Sequence, residues 1–359
     1  MSEKYKISFC TVSMNRLVHL KQTLIKNIND NQDYANLEFV LLDYNSKDNL
    51  EKFIKENFRQ MIANKTLVYF KTHTPEYFNR SHSRNLCFKL ATGDILCNLD
   101  ADNFTGEHYA DYINSSFKQE DTIFLASQEK GKKDHIGRIC LGRNAFFNVR
   151  GYDEYMSSYG FEDYDLINRL IKAGFFRKNM DGRYLKSISH GDKLRIGNEY
   201  LLRNLYLLFI SHVSEAETTI LYLYRDGSLD VGNIVNNHID DVLNKYVHKD
   251  LPYRYTLRNK GWLKGKWTLN SSNLQIIADN YHFDMQYNPW AYKLCTSDDI
   301  AVYSIKPNHS LFLYLLLFHS EISNRNRMNS SIPLKINAQG FGRDIVYKNF
   351  DYSNDIIIS

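Results

Sequence analysis

Asp100-Ala-Asp102 closes the run Asp94-Ile-Leu-Cys-Asn-Leu-Asp-Ala-Asp-Asn103. Ile95 to Leu99 is apolar enough to be a buried strand. Burying carboxylates costs several kcal/mol unless they are paired or bind a cation. Two of them at the C-terminal end of a strand belong at a crevice, where open α/β sheets bind ligands. Mg²⁺ and Mn²⁺ prefer carboxylate oxygens and share their shell with substrate phosphates. Asp100 and Asp102 are therefore candidates for holding a metal-bound nucleotide diphosphate. A solvated Asp-rich turn is the alternative, and two aspartates at this spacing do not decide between them.

Two further groups could join them. Glu162-Asp163, in Gly160-Phe-Glu-Asp-Tyr-Asp-Leu166, precedes the apolar stripe Leu166, Ile167, Leu170, Ile171. Asp163 thus sits at or near a helix N-terminus, where a capping carboxylate stabilises the helix by about 1 kcal/mol. A carboxylate there could also serve as a general base. His190, in Ile188-Ser-His-Gly-Asp-Lys193-Leu-Arg195, follows a strand-like segment. A neutral imidazole is a good Mn²⁺ ligand, and Lys193 and Arg195 could balance diphosphate charge. A satisfied loop histidine is the plain alternative.

The elements that must position these groups alternate. Lys6–Val12, Leu37–Asp43, Thr66–Phe70 and Ile95–Leu99 read as strands. Between them, Asn15–Asn29, Asn49–Met61 and Ser81–Ala91 have helical spacing. That alternation predicts a parallel sheet with helices on both faces. Its strand ends share one edge, so Thr11, Ser13, Asp43, Arg84 and Asp100 can line one crevice. Thr122–Ser127 and Ile136–Phe147 read as further strands, Asp163–Ala173 as a helix closed by Gly174, and Asn198–Ser211 as a helix. Short strand candidates follow at Thr218–Tyr224, Trp262–Leu269, Leu274–Ala278, Ile300–Ile305 and Ile332–Ile336. The expected organisation is a catalytic domain over 1–214 and a β-rich accessory domain over 215–359.

The first 200 or so residues resemble a GT-A glycosyltransferase of family 2. The resemblance rests on the Thr11-Val-Ser13-Met-Asn15 loop, Asp43 in a D-x-x-S setting, Arg84-Asn85 ahead of Ala91-Thr-Gly-Asp94, and Leu99-Asp-Ala-Asp102. Gly151-Tyr-Asp-Glu154 and the Glu162-Asp163 segment with Arg169-Leu170 and Gly174 are similar to the acceptor-side motif. The His190 loop resembles that of animal β-1,4-galactosyltransferases. The resemblance implies a GT-A (Rossmann-like) mixed sheet flanked by helices. It also implies inverting transfer from a UDP-sugar to a saccharide or lipid-linked saccharide acceptor, as in bacterial surface polysaccharide synthesis. Thr11 and Ser13 would then meet base and ribose, Asp43 the uracil N–H, Arg84 the nucleotide and Asp100 the ribose. Asp102 would ligate Mn²⁺ (or Mg²⁺) with His190, Asp163 would be the base, and Glu162 would orient hydroxyls.

Composition narrows the alternatives. At 359 residues and 24% charged, the chain is an ordinary globular sequence of two domains. A net charge of +4 permits an anionic substrate or peripheral contact with an acidic membrane but does not mark a nucleic-acid binder. The five cysteines are scattered without C-x-x-C spacing, as expected of free thiols in a reducing compartment. The opening Met-Ser-Glu-Lys-Tyr-Lys-Ile has no signal-peptide core. Leu311–Phe318 is too short to span a bilayer. A cytoplasmic location follows as the expectation. A nucleotidyltransferase would need a Gly-rich phosphate loop, and Cys10–Arg16 has no glycine. A nucleotide-sugar-binding module without turnover stays open. Trp262, Trp267 and Trp290 are either sugar-stacking or core aromatics.

Overall fold

The computed structural model describes residues 4–127, 135–214, 217–236, 255–258, 261–279, 281–330 and 336–359. The chain divides into two compact bodies. The first comprises Met1–Ser157, Glu162–Gly191 and Pro333–Ser359, and the second Ser158–Phe161 and Asp192–Ile332.

The first body runs β1 (Ile7–Ser13), α1 (Leu17–Asn29), β2 (Leu37–Tyr44), α2 (Leu50–Asn57), α3 (Arg59–Ala63), β3 (Leu67–Thr72), α4 (Arg80–Leu90) and β4 (Ile95–Asn98). It continues through β5 (Asn103–Phe104), α5 (Tyr109–Gln119), β6 (Ile123–Ala126), β7 (Ile139–Gly142), α6 (Arg143–Asn148), α7 (Glu162–Lys172), β8 (Phe176–Asn179) and β9 (Lys186–Ser187). The second body contains α8 (Asp192–Ile196), α9 (Tyr200–Asn204), β10 (Leu205–Ser214), β11 (Glu217–Tyr224), β12 (Ser228–Asn236), β13 (Tyr255–Leu257), β14 (Leu263–Asn270), β15 (Asn273–Ala278), β16 (Tyr281–Gln286), β17 (Lys293–Cys295), β18 (Ala301–Ser304) and α10 (Leu311–Met328). The chain then returns to the first body as β19 (Asp344–Lys348) and β20 (Asp351–Ile358).

The main sheet has the order β20-β19-β3-β2-β1-β4-β7-β6-β8. β1 pairs in parallel with β2 and β4, and β2 with β3, as the alternation predicts. β7 and β19 enter antiparallel, so the sheet is mixed. Every residue of β1 is buried, because both faces are covered. Ile7 and Phe9 pack with Leu20, Leu24, Ile54 and Ile113 of α1, α2 and α5. Cys10 and Val12 pack on the opposite face with Leu86, Phe88, Phe146 and Leu166 of α4, α6 and α7. Burying each such large side chain contributes about 1.5–3 kcal/mol.

The second body is a curved antiparallel sheet, β16-β15-β14-β12-β11-β10-β18-β17, with β13 beside β12. Its end strands meet through a bridge between Met285 and Thr296 and a bond from Ser297 N–H to Asp284 O at 2.8 Å. Leu221 and Leu223 face one core with Phe209, Leu229 and Ile276. Ile220, Tyr222 and Tyr224 face the other, under α10.

Several expectations are corrected. Asn198–Ser211 is not one helix: α9 ends at Asn204 and β10 follows. Leu208 and Ile210 enter one core and Phe209 the other, so an unbroken apolar run mimics a helix. Ile136–Phe147 divides into the strand β7 and the helix α6. The bodies do not divide at 214, because β10 pairs with β11 and residues after 335 rejoin the first body. Ile332–Ile336 falls mostly outside the described residues. Gly174, at φ +92°, closes α7 as expected. The four cysteines of the first body are buried and free; Cys295 is exposed. No described helix is long and apolar enough to cross a membrane.

Candidate active site

The register Ser13↔Asp43 and the parallel pairing of β4 with β1 put Ser13, Asp43 and Asp100 at one sheet edge. Ser13 is buried and its Oγ lacks a partner; Thr11 is also buried. Asp43 is fully buried. Its Oδ1 accepts the Ser46 N–H at 2.7 Å, its Oδ2 accepts the Tyr69 hydroxyl at 2.7 Å, and Lys71 Nζ lies 3.8 Å away. Burial pushes its carboxyl up despite those donors. In this arrangement Asp43 anchors the turn after β2, and a base reaches it only if its cover moves.

The aspartate loop is held from one side by α1. His19, Thr23 and Asn27 recur every four residues of α1, so they share one helix face; Asn31 carries the spacing just past the helix end, and all four are buried. The Thr23 hydroxyl donates to Ala101 O at 2.7 Å and Asn27 Nδ2 to Asn103 O at 2.9 Å. Asn31 Nδ2 donates to Thr105 Oγ1 at 2.9 Å. From the other side β9 pairs with β5, and Ile188 N–H donates to Asp102 O at 2.8 Å. That ladder brings His190 to Asp102, with Nε2 2.7 Å from Oδ2. Burial pushes the Asp102 carboxyl up, but the His190 contact outweighs it and the net shift is downward. The His19 ring lies 5.3 Å from that of His190, and its buried Nδ1 has no partner.

The second acidic pair comes from α7. Arg84, on α4, donates from Nη1 to Asp163 Oδ1 at 2.8 Å and to Glu162 Oε1 at 3.4 Å, and from Nη2 to Asp100 Oδ1 at 3.2 Å. Burial pushes the Asp163 carboxyl up to about 7, against the pull of Arg84. Glu162 Oε2 is buried without a partner. Neighbouring Asn85 clamps the loop before α7. It donates to Tyr152 O at 2.9 Å and Glu154 Oε1 at 2.8 Å, and accepts the Tyr152 N–H at 2.7 Å. The two residues of the Arg84-Asn85 pair therefore hold different parts of one acidic site.

Asp100, Glu162 and Asp163 thus meet around Arg84, while Asp102 meets His190. Lys193 and Arg195 are not among the side chains assembled within the first body. They belong to the second, where Arg195 meets Asp192 at 3.3 Å and Tyr159 at 3.4 Å. Among the described residues no group of three or more His, Cys, Asp or Glu side chains is arranged to hold a metal ion.

Residues 8–138 match Glycosyl transferase family 2. That segment holds β1 to β4, the aspartate loop and Arg84, and the mixed sheet around it is the GT-A arrangement. Glu162-Asp163 and His190 lie beyond it. No curated protein matches the chain. Among solved structures, the chain is similar to the mannosyltransferase PcManGT from Pyrobaculum calidifontis in complex with GDP-Man and Mn²⁺. That match has 14% identity, covers 52% of this chain and 58% of the other, and has a TM-score of 0.44. It is also similar to S. aureus TarS 1–349 in complex with UDP-GlcNAc, with 12% identity, 54% and 61% coverage and a TM-score of 0.45. The chain spans less than two thirds of the length of either structure.

Sequence reasoning missed the His19–Asn31 stripe and Arg138, and singled out Tyr152 only within its motif, without a role of its own. The stripe was legible in principle, as polar residues at every fourth position of a helix that must bury a face. Arg138, itself buried, donates from Nη2 to Asn103 Oδ1 at 2.7 Å and from Nη1 to Phe104 O at 2.9 Å. Nothing in its local sequence marks that role.

Proposed function

We propose that the chain is a metal-dependent inverting glycosyltransferase that moves a sugar from a UDP-sugar to a saccharide acceptor. The observation that supports it most is the meeting of Asp100 with Glu162-Asp163 around Arg84, beside the Asp102–His190 pair. A donor-side carboxylate and an acceptor-side pair, some sixty residues apart in sequence, then serve one crevice.

Asp102 and His190 would hold the cation. One carboxylate and one imidazole leave room for phosphate oxygens and water, the donor set Mn²⁺ and Mg²⁺ accept. When bound, that cation neutralises charge on the departing diphosphate. Asp163 takes the proton from the acceptor hydroxyl as it attacks the anomeric carbon. A carboxyl held near 7 is matched to that task at neutral pH. Glu162, with one buried oxygen lacking a partner, orients a sugar hydroxyl. A single displacement inverts the anomeric centre, so an α-linked donor gives a β-glycoside. Thr11 and Ser13 would contact the nucleoside. Lys193 and Arg195 remain proposed diphosphate contacts, and Asp43 a uracil contact that requires opening of its cover. The acceptor class, a bacterial surface polysaccharide or its lipid-linked precursor, rests on the resemblance of the motifs, as does a location at the inner membrane face.

The test is UDP release from a panel of UDP-sugars, with and without saccharide acceptors, Mn²⁺ and chelator. Acceptor-stimulated, chelator-sensitive release supports the reading. Binding of donor with no turnover under any condition favours the non-catalytic module instead, and an α-linked product from an α-linked donor refutes inversion.

A further inference from the structure

Arg84 has one cation's worth of charge and three carboxylates around it. It is buried, and its guanidinium carbon lies 5.4 Å from the centre of the Tyr152 ring. The fork takes one oxygen from each partner: Oδ1 of Asp163, Oε1 of Glu162 and Oδ1 of Asp100. The second oxygens, Asp163 Oδ2 and Glu162 Oε2, are not taken up by the fork, and Glu162 Oε2 is buried without a partner. Gly137 covers the cluster, and a Cβ there would lie 2.8 Å from Arg84 Nη2 and 3.2 Å from both Asp100 Oδ2 and Asp163 Oδ2. A guanidinium so engaged has little left to offer a nucleotide.

We propose that Arg84 is a positioning residue: it draws Asp163 toward the carboxylate form, holds its Oδ1 so that only Oδ2 is left outside the fork, and ties the acceptor-side pair to donor-side Asp100. This replaces the nucleotide contact expected for Arg84 and rests on the reading of Asp163 as base. The physical reason is simple. A carboxyl this buried prefers to be neutral, and a neutral acid cannot take a proton. The charged and titratable groups facing Asp163 are Arg84 from α4, Glu162 beside it on α7, Asp100 after β4 and Tyr152 from the loop before α7. Arg80, also on α4, lies 4.0 Å from Glu162. Of these, Arg84 alone donates a described hydrogen bond to Asp163, while Glu162 and Asp100 push it toward the neutral form.

The test follows the Asp163 carboxyl itself, so it needs neither donor nor acceptor. Protein labelled with ¹³C at the aspartate carboxyl is titrated by NMR, the Asp163 signal being the one lost in Asp163→Asn. The wild-type midpoint should lie at about 7. Arg84→Gln should move it up by at least one pH unit, and Arg84→Lys, a single-point cation, by less. If Arg84→Gln does not fold, the upward shift in Arg84→Lys carries the test. A midpoint that stays put or falls in a folded variant overturns the proposal. Where wild-type turnover is found, the acid limb of the Arg84→Gln rate profile should move with the titration; a uniform loss of rate at every pH would mean a purely structural role. Wild-type inactivity with every donor would refute the proposed function while leaving the titration decisive for Arg84.

Discussion

Asp163→Asn should stabilise the fold while abolishing most activity. The Asp163 carboxyl sits at about 7 in the folded chain, against an ordinary value of 3.8. Burial raises it; Arg84 opposes and is outweighed. The folded state therefore binds this proton more tightly than the unfolded state. Stability from the protonated carboxyl is complete below 3.8 and is lost as pH rises to about 7. The full difference amounts to about 4 kcal/mol above neutral pH, at about 1.4 kcal/mol per unit. At pH 5 the cost is under half of that. Asparagine keeps the shape of the neutral acid and never ionises. Its stability advantage over wild type should thus more than double between pH 5 and pH 8, read by urea denaturation at both. Transfer should fall by about 10²-fold or more, the scale of general-base catalysis. UDP binding should survive. An advantage that is absent at pH 8, or equal at the two values, would refute the picture of Asp163 as an ionised carboxylate held at a cost.

Asp102→Ala should abolish Mn²⁺-dependent UDP binding in calorimetry and His190→Ala should weaken it less; full UDP affinity in excess chelator would remove the cation from the site. Asn85→Ala strips the buried Tyr152 N–H of its partner and should cost about 1–3 kcal/mol, measured by denaturation. A chain ending at Ser214 should fail to fold as a soluble domain. It loses β19 and β20, the fully buried Val346, and the bonds from Asn337 Nδ2 to Arg150 O and Tyr152 O at 2.7 Å each. A cooperative melt from that truncation would contradict this.

The parts of the fold that were legible are those where periodicity has one meaning. β1 to β4 alternate with amphipathic helices, and each strand is short, apolar and bounded by polar turns. The misread parts are those where an apolar run has two. β10 is covered on both faces near its centre, so it loses the alternation that marks a strand. The return of residues 336–359 to the first body leaves no local mark at all, since it depends on which sheet edge is open. The tryptophans divide by structure alone. Trp262 donates to Ser323 Oγ and stacks 4.3 Å from His319, and Trp267 donates to Tyr224 O, while Trp290 is 93% exposed.

Site residues follow a similar rule. A sequence motif places a charge at a crevice but does not say whether that charge faces a ligand or another charge. Arg84 and Asp43 are both at the expected edge, and both are taken up by internal partners. The balance of charge then bears on mechanism. Asp100, Asp102, Glu162 and Asp163 stand in the first body against Arg84, Arg80 and the buried Arg138, which faces Asp100 and Asp102. A nucleotide diphosphate would add further negative charge to that excess. Like charges at such separations repel strongly in a partly desolvated site. These seven side chains offer a diphosphate no surplus of positive charge, and on the proposed function the Asp102–His190 pair is where a hard cation would enter. If the proposed function holds, donor binding should therefore strengthen with added Mn²⁺ and weaken with chelator.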